Sequence, residues 1–331
     1  MSDALLASYD AVLFDLDGTV YQGTHVFPGS TDVLGELRDQ GVAIRFVTNN
    51  ASKTPGDVVD HLRELGITAG AAEVNTSAQA AVAVLRDHLD QGSEVLVVGA
   101  ESLVAGVAEA GLVPVRENGP DVAAVVQGHS PDTGWRILAE ACLALRAGAL
   151  WVACNVDATL PTERGLLPGN GSMVAVLRTA TELEPFIAGK PSPTLFTTAA
   201  ESAQAERPLA VGDRLDTDIA GGVAAGFDTL AVLTGVATPA LLLAAVEAQR
   251  PRYVAADLGG LRASRASVEI GPRDAWQVQV GDGELVVSNT SPSDDLELLR
   301  ALCGPAWESG STKARGTDDA SKAALGRLGL G

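Results

Sequence analysis

AVLFDLDGT, residues 11–19, is the stretch on which the reading of this chain turns. A short apolar run with no polar face ends in two aspartates one residue apart, followed by a glycine and a threonine. Apolar runs without alternation are what strands buried on both faces look like. In an extended segment residues i and i+2 point the same way, so Asp15 and Asp17 face one cavity. Two carboxylates that close repel by about 4 kcal/mol at an effective dielectric near ~20. Such a pair therefore implies a cation or a shared proton. Gly18 lets the backbone turn and lets its amide approach a ligand. Read alone, the string also fits an Asp-rich loop that caps the next helix.

The same texture recurs downstream. Val/Ile/Leu/Phe-rich runs at 43–48, 94–99, 122–128, 150–154, 186–189, 209–213, 229–233 and 252–256 alternate with Ala/Leu/Arg/Glu-rich helical stretches. That is the pattern of an α/β fold with a parallel sheet, although the runs are many for one sheet. Helices predicted over 31–41 and 55–66 open on Thr or Pro and close at Gly. Polar signatures gather at strand ends near residues 15, 48, 190 and 213, while the interval 81–181 holds strands and helices of its own. The expected architecture is a doubly wound parallel-sheet core from residues 1–80 and 182–261, with an inserted α/β domain over 81–181. After 262 the texture changes. WQVQVGDGELVVS (276–288) alternates with period two around a Gly-Asp-Gly turn and predicts a hairpin. A helix over 293–302 follows, then a turn-rich mobile link, GPAWESGSTKARGTDD (304–319), to a last short helix. Residues 262–331 thus read as a hairpin-plus-helix appendix of unknown role, docked on the core or completing a dimer. The appendix could be a fragment of an acyltransferase-like domain, but no Gly-rich pyrophosphate loop opens a helix in it, so no acyl-carrying coenzyme is expected.

Open α/β sheets bind ligands beyond the carboxyl ends of their strands, and three further ends stand out. Phe46-Val47-Thr48-Asn49-Asn50 runs a strand into hydroxyl and amide donors suited to phosphoryl oxygens, and a simple turn is the alternative. Gly189-Lys190-Pro191-Ser192-Pro193 places a lysine between stiff neighbours as a point charge, where a solvated loop lysine is the alternative. Val211-Gly212-Asp213-Arg214-Leu215-Asp216-Thr217-Asp218 closes a strand on one aspartate and opens a helix on two more. Acidic residues there are also ordinary caps, the role given to Asp216.

Composition narrows the partners. The chain has 331 residues, 46% of them hydrophobic, enough for two cores, and a formal charge of -19 spread along its length. That charge argues against nucleic acid or an anionic membrane surface. Cys142, Cys154 and Cys303 form neither a CxxC pair nor a Cys/His cluster, so no disulfide framework or zinc site is indicated. The N-terminus MSDALLASYD carries acid where a secretory signal would carry base, and no apolar run approaches the ~20 residues of a membrane span. A cytoplasmic protein is expected.

Taken together, LFDLDGT (13–19), VTNN (47–50), DATLPTERGLLPGNGS (157–172), GKPSP (189–193) and GDRLDTDIAGG (212–222) make the chain recognisable. Over residues 10–260 it resembles the haloacid dehalogenase superfamily of aspartate-nucleophile phosphatases, and within it the branch of p-nitrophenyl, phosphoglycolate and pyridoxal phosphate phosphatases with a large α/β cap. The resemblance implies that Asp15 is the nucleophile and forms an aspartyl-phosphate, with Asp17 as general acid and then general base. It implies Mg2+ held by Asp15, the main-chain carbonyl of Asp17 and Asp213, with Asp218 as an outer partner. Gly18, Thr48, Asn49, Asn50 and Lys190 are the candidate holders of phosphoryl oxygens, several through main-chain amides. The 81–181 insert is the expected cap, hinged near 78–82 and 180–185, with Asn155, Asp157 and the turn at 169–172 facing the site. Where relatives carry an acidic or aromatic residue after a Val-Val-x-Gly strand, this chain has Gly128-His129-Ser130. His129 is therefore a candidate contact to the leaving group, or a solvent-exposed loop histidine. A confined pocket favours a small phosphomonoester, with glycerol 3-phosphate first, and 2-phosphoglycolate or pyridoxal phosphate as alternatives. A phosphomutase and a phosphate-binding regulatory module without turnover are the rival readings. A homodimer is possible for caps and tails of this kind.

Overall fold

The computed structural model describes residues 4–162 and 164–331. They fall into two compact units, Met1–Phe46 with Ala200–Gly331, and Val47–Ala199. At the centre of the first unit lies the strand Ala11–Phe14, all four of its side chains buried. It pairs in parallel with Ala43–Thr48 on one side, from Ala11↔Ala43 to Phe14↔Phe46, and with Pro208–Gly212 on the other. Asp228–Val232 and Tyr253–Ala255 continue the parallel ladder. Every residue of Pro208–Gly212 is buried and all but the first of Asp228–Val232 are. Burial on both faces is why these runs carry no polar alternation.

The second unit takes up the end of the 43–48 strand, places Val74–Thr76 beside it, and then builds a separate parallel sheet. Its order is Phe186–Ile187, Leu150–Ala153, Val122–Gln127, Glu94–Val98, Val113–Val115. The nine apolar runs are thus shared between two sheets, which resolves their excess for one. The helices Trp135–Arg146 and Asn170–Thr181 cover one face through Leu138, Ala141, Leu145, Val174 and Leu177. An antiparallel pair, Thr159–Thr162 with Gly165–Pro168, stands beside it. Of the two expected hinges, the one near 78–82 lies inside the helix Ser77–His88. The one near 180–185 coincides with the end of Asn170–Thr181, where Glu182 takes a left-handed conformation (φ 62).

The C-terminal region is part of the first unit. Trp276–Gly281 and Glu284–Asn289 form the expected hairpin, turned by Asp282 and Gly283, both at positive φ. The helix reaches further than expected, Asp295–Ser309, passing through Pro305. Ala314–Gly316, read from sequence as part of a mobile link, is a third strand parallel to Glu284–Asn289. Leu298, Leu299, Leu302 and Cys303 share one hydrophobic cluster with Ile219, Leu242 and Val254 of the core. Arg300, 5% exposed, donates from Nε and Nη2 to the Val254 carbonyl at 3.0 and 2.8 Å. Burial holds its guanidinium below the usual arginine range. Trp307 Nε1 donates to the Leu242 carbonyl at 2.8 Å, and the Arg250 guanidinium lies 5.2 Å from the Trp307 ring centre.

Candidate active site

The acidic cluster is built where the central strands of the first unit end. The Asp15 N–H donates to the Val211 carbonyl at 2.9 Å, which extends the ladder one residue and fixes where the side chain emerges. Asp15 is 9% exposed, Asp213 and Asp218 1% each. One carboxylate oxygen from each of the three lies within 4.8 Å of the others. No other group of three acidic, His or Cys side chains among the described residues comes together in this way.

Local hydrogen bonds hold this cluster in place. Asp213 Oδ2 accepts the Val236 N–H at 2.7 Å, its Oδ1 accepts the Thr19 hydroxyl at 3.4 Å, and its carbonyl accepts the Ala237 N–H at 2.7 Å. Asp218 Oδ2 accepts the Arg214 N–H at 3.0 Å. Gly18, at φ +95, lies so close that a Cβ there would sit 2.5 Å from Asp213 Oδ2. Three carboxylates within this distance call for a cation. The donor set is oxygen only, which suits a hard ion such as Mg2+ and lacks the His and Cys ligands of zinc. The residues present therefore fit the magnesium that the sequence implied.

Asp17 is exposed, and its Oδ1 accepts the Gly23 N–H at 3.3 Å. The sequence reading gave the Gly18 amide to a ligand, but that N–H donates to the Tyr21 carbonyl at 2.7 Å, closing the turn after the aspartate pair. What Gly18 contributes is space beside Asp213. Burial, and then the charges of Asp17 and Asp15, push the Tyr21 phenol well above its usual range, so it stays neutral.

The second unit carries the other candidates. Thr48 ends its strand, and its Oγ1 accepts the Asn50 N–H at 3.1 Å. Asn50 Oδ1 accepts the Ser52 N–H and hydroxyl, both at 2.9 Å, and the Lys53 N–H at 3.3 Å. That side chain therefore shapes the turn into the helix Pro55–Glu64. Lys190 is 3% exposed, and its Nζ donates to the Val47 carbonyl at 3.3 Å. Asn49 Nδ2 donates to the Asp157 carboxylate at 3.2 and 3.4 Å. Asn155 is buried, with Nδ2 donating to the Asn49 carbonyl at 2.7 Å. His129 is half-buried in the loop after Val122–Gln127, and its ring makes no hydrogen bond among the described residues.

Three contributors escaped the sequence reading. Thr234 donates to the Gly18 carbonyl at 2.5 Å, and Val236 holds Asp213. Both follow the strand Asp228–Val232, so the strand-end rule that found the others would have found them. Ser77, whose hydroxyl donates to the Asn49 carbonyl at 2.6 Å, opens a helix and gave no such signal.

A buried carboxylate cluster at the carboxyl ends of a parallel sheet, with one aspartate just after the central strand, is an arrangement that can hold a divalent cation. Comparison with known proteins gives the family. The haloacid dehalogenase-like hydrolase model matches residues 12–113, a second hydrolase model of the same superfamily matches 187–261, and a GCN5-related N-acetyltransferase-like domain matches 273–330. The chain is 46% identical to the D-glycerol 3-phosphate phosphatase of Mycobacterium tuberculosis, covering 99% of this chain and 96% of the relative. It is 39% identical to the acid sugar phosphatase of Staphylococcus aureus over 70% of this chain and 90% of that one. The crystal structure of the M. tuberculosis glycerol phosphate phosphatase in complex with magnesium superposes with a TM-score of 0.95, at 46% identity and 99% coverage of both chains. The chain belongs to the haloacid dehalogenase-like hydrolases.

Proposed function

We propose that this protein is a magnesium-dependent phosphatase of glycerol 3-phosphate. The observation that carries the chemistry is the cluster of Asp15, Asp213 and Asp218. The substrate rests on the full-length similarity to the M. tuberculosis phosphatase, which extends through the C-terminal region. Magnesium, when bound, neutralises the crowded carboxylates and the phosphoryl oxygens. An oxygen of Asp15 attacks phosphorus while the bond to the leaving alkoxide breaks, and Asp17 gives the alkoxide its proton. Asp17 then takes a proton from water as that water attacks the same phosphorus, freeing Asp15 and releasing inorganic phosphate. Asp15, Asp213 and the Asp17 carbonyl would hold the ion, with Asp218 as an outer partner. Lys190, the Thr48 hydroxyl and the Asn49 main-chain N–H hold the equatorial oxygens, whose charge the transition state redistributes.

Residues 81–181 act as a cap that excludes water from the reaction, with Asp157 and His129 toward the leaving group. Cys142, Cys154 and Cys303 are free thiols, the state kept in a reducing compartment, and no helix among the described residues is long and apolar enough to cross a membrane. We place the enzyme in the cytoplasm. Release of free phosphate from glycerol 3-phosphate, 2-phosphoglycolate, pyridoxal phosphate and p-nitrophenyl phosphate, with magnesium and with EDTA, tests the proposal. Glycerol 3-phosphate should give the highest kcat/KM and EDTA should abolish turnover. A metal-independent release would reject the mechanism, and a higher kcat/KM on another ester would reject the substrate.

A further inference from the structure

We infer that Asn49 is a positioning residue, whose side-chain amide sets Lys190 and ties it to the loop carrying Asp157. This rests on the role proposed above for Lys190 in holding phosphoryl oxygens. Asn49 Oδ1 accepts the Lys190 N–H at 2.8 Å, while its Nδ2 donates to the Lys190 carbonyl at 3.1 Å. One amide thus grips both polar groups of one residue's main chain, which fixes where that backbone sits and how it is turned. The remaining Nδ2 hydrogen goes to the Asp157 carboxylate. An asparagine side chain has two N–H donors, and both are engaged, so it has none left for a phosphoryl oxygen. The main-chain carbonyl of Asn49 is held in turn by the Ser77 hydroxyl at 2.6 Å and by Asn155 Nδ2 at 2.7 Å.

Three segments therefore converge on one residue: the strand end at 189–190, the loop at 155–157, and the start of the helix Ser77–His88. The approach depends on Gly189. A Cβ at that position would lie 2.6 Å from Asn49 Oδ1 and 2.4 Å from the Cys154 carbonyl oxygen. The Lys190 ammonium is referenced to the same segment, through its bond to the Val47 carbonyl. Lys190 and Thr48 are consequently held in a fixed relation, and a shift of the Asp157 loop is felt at Lys190. A residue acting in this way should affect kcat through Lys190 rather than ground-state binding through a contact of its own.

The test is a double-mutant cycle on the full-length, magnesium-loaded enzyme, with kcat and KM measured on glycerol 3-phosphate and on p-nitrophenyl phosphate. Misplacement of a binding group by about 1 Å can cost on the order of a hundredfold. Asn49→Ala should lower kcat about 10- to 100-fold with KM changed less than about threefold. In the Lys190→Ala background the same substitution should cost less than about threefold, because the group it positions is gone. Losses that multiply across the cycle would overturn the inference, as would a rise in KM with kcat unchanged. Asn49→Asp keeps volume and the acceptor for the Lys190 N–H. It carries the same cycle if Asn49→Ala does not fold, and should show a loss of the same kind and at least as large, because its new carboxylate oxygen faces the Asp157 carboxylate and the Lys190 carbonyl. If Lys190→Ala alone leaves kcat intact, the proposed role of Lys190 fails. A persisting loss from Asn49→Ala would then also reject action through Lys190.

Discussion

The two ends of the first unit's sheet handle charge in opposite ways. At the amino ends, Asp228 opens its strand between cations and hydroxyls: Arg252 Nη1 donates to it at 2.9 and 3.1 Å and the Tyr9 hydroxyl at 2.6 Å. Arg252 also bonds Glu269 at 3.0 Å, and the Tyr9 hydroxyl oxygen accepts from the Tyr253 hydroxyl at 2.9 Å. At the carboxyl ends, acids of one sign are gathered within 4.8 Å and held there by main-chain N–H groups. The first arrangement satisfies itself and stabilises the fold. The second concentrates negative charge that a divalent ion relieves, and that is what a binding centre requires.

Substitutions at the two ends should therefore separate activity from stability. The largest effect is expected at the carboxyl end: Asp213→Asn should lower kcat by about a hundredfold or more and raise the magnesium needed for half-maximal rate. The fold should tolerate this change, because it removes one of three repelling charges. Magnesium itself should stabilise the wild type, through binding to the folded state alone, by about 3 kcal/mol at a hundred times its Kd, and so raise its Tm. Asp213→Asn should lose most of that rise in a thermal melt. At the amino end, Tyr9→Phe should cost about 1–2 kcal/mol in denaturant unfolding with kcat unchanged, since Asp228 and Tyr253 lose a buried partner. Arg252→Ala, whose ion pairs are partly exposed, should cost only about 1 kcal/mol. A change in kcat from either amino-end variant would dissolve the contrast.

The smallest expected effect concerns thiols. Burial pushes Cys154 and Cys303 up to about 12, so at pH 8 both remain thiols and inert. Iodoacetamide at that pH should label the half-buried Cys142 in the native protein, and the other two only after unfolding.

Much of the catalytic end was legible because its chemistry sits in contiguous strings: LFDLDGT and GDRLDTD each carry a buried strand and the acid that closes it. The exact reading of AIRFVT as Ala43–Thr48 came from the same kind of run, in which Ile44, Phe46 and Val47 are buried and Ala43, Arg45 and Thr48 half-buried. What stayed hidden depends on contacts between distant segments. Val74–Thr76 and Val113–Val115 are too short, and interrupted by Asn75 and Pro114, to stand out as strands. The helix Asp295–Ser309 was cut short at Gly304-Pro305, whereas packing of Ala306 and Trp307 onto the core carries it through. Asn49 drew notice for its main-chain amide, and only the geometry shows its side-chain amide turned to Lys190.

The account rests on Asp15 as the group that takes the phosphoryl. Phosphate release from glycerol 3-phosphate by Asp15→Asn, at saturating magnesium beside the wild type and with folding verified by thermal melting, tests this most directly. The account expects a loss of about a thousandfold or more, since the amide cannot serve as nucleophile. Activity within tenfold of the wild type would contradict it.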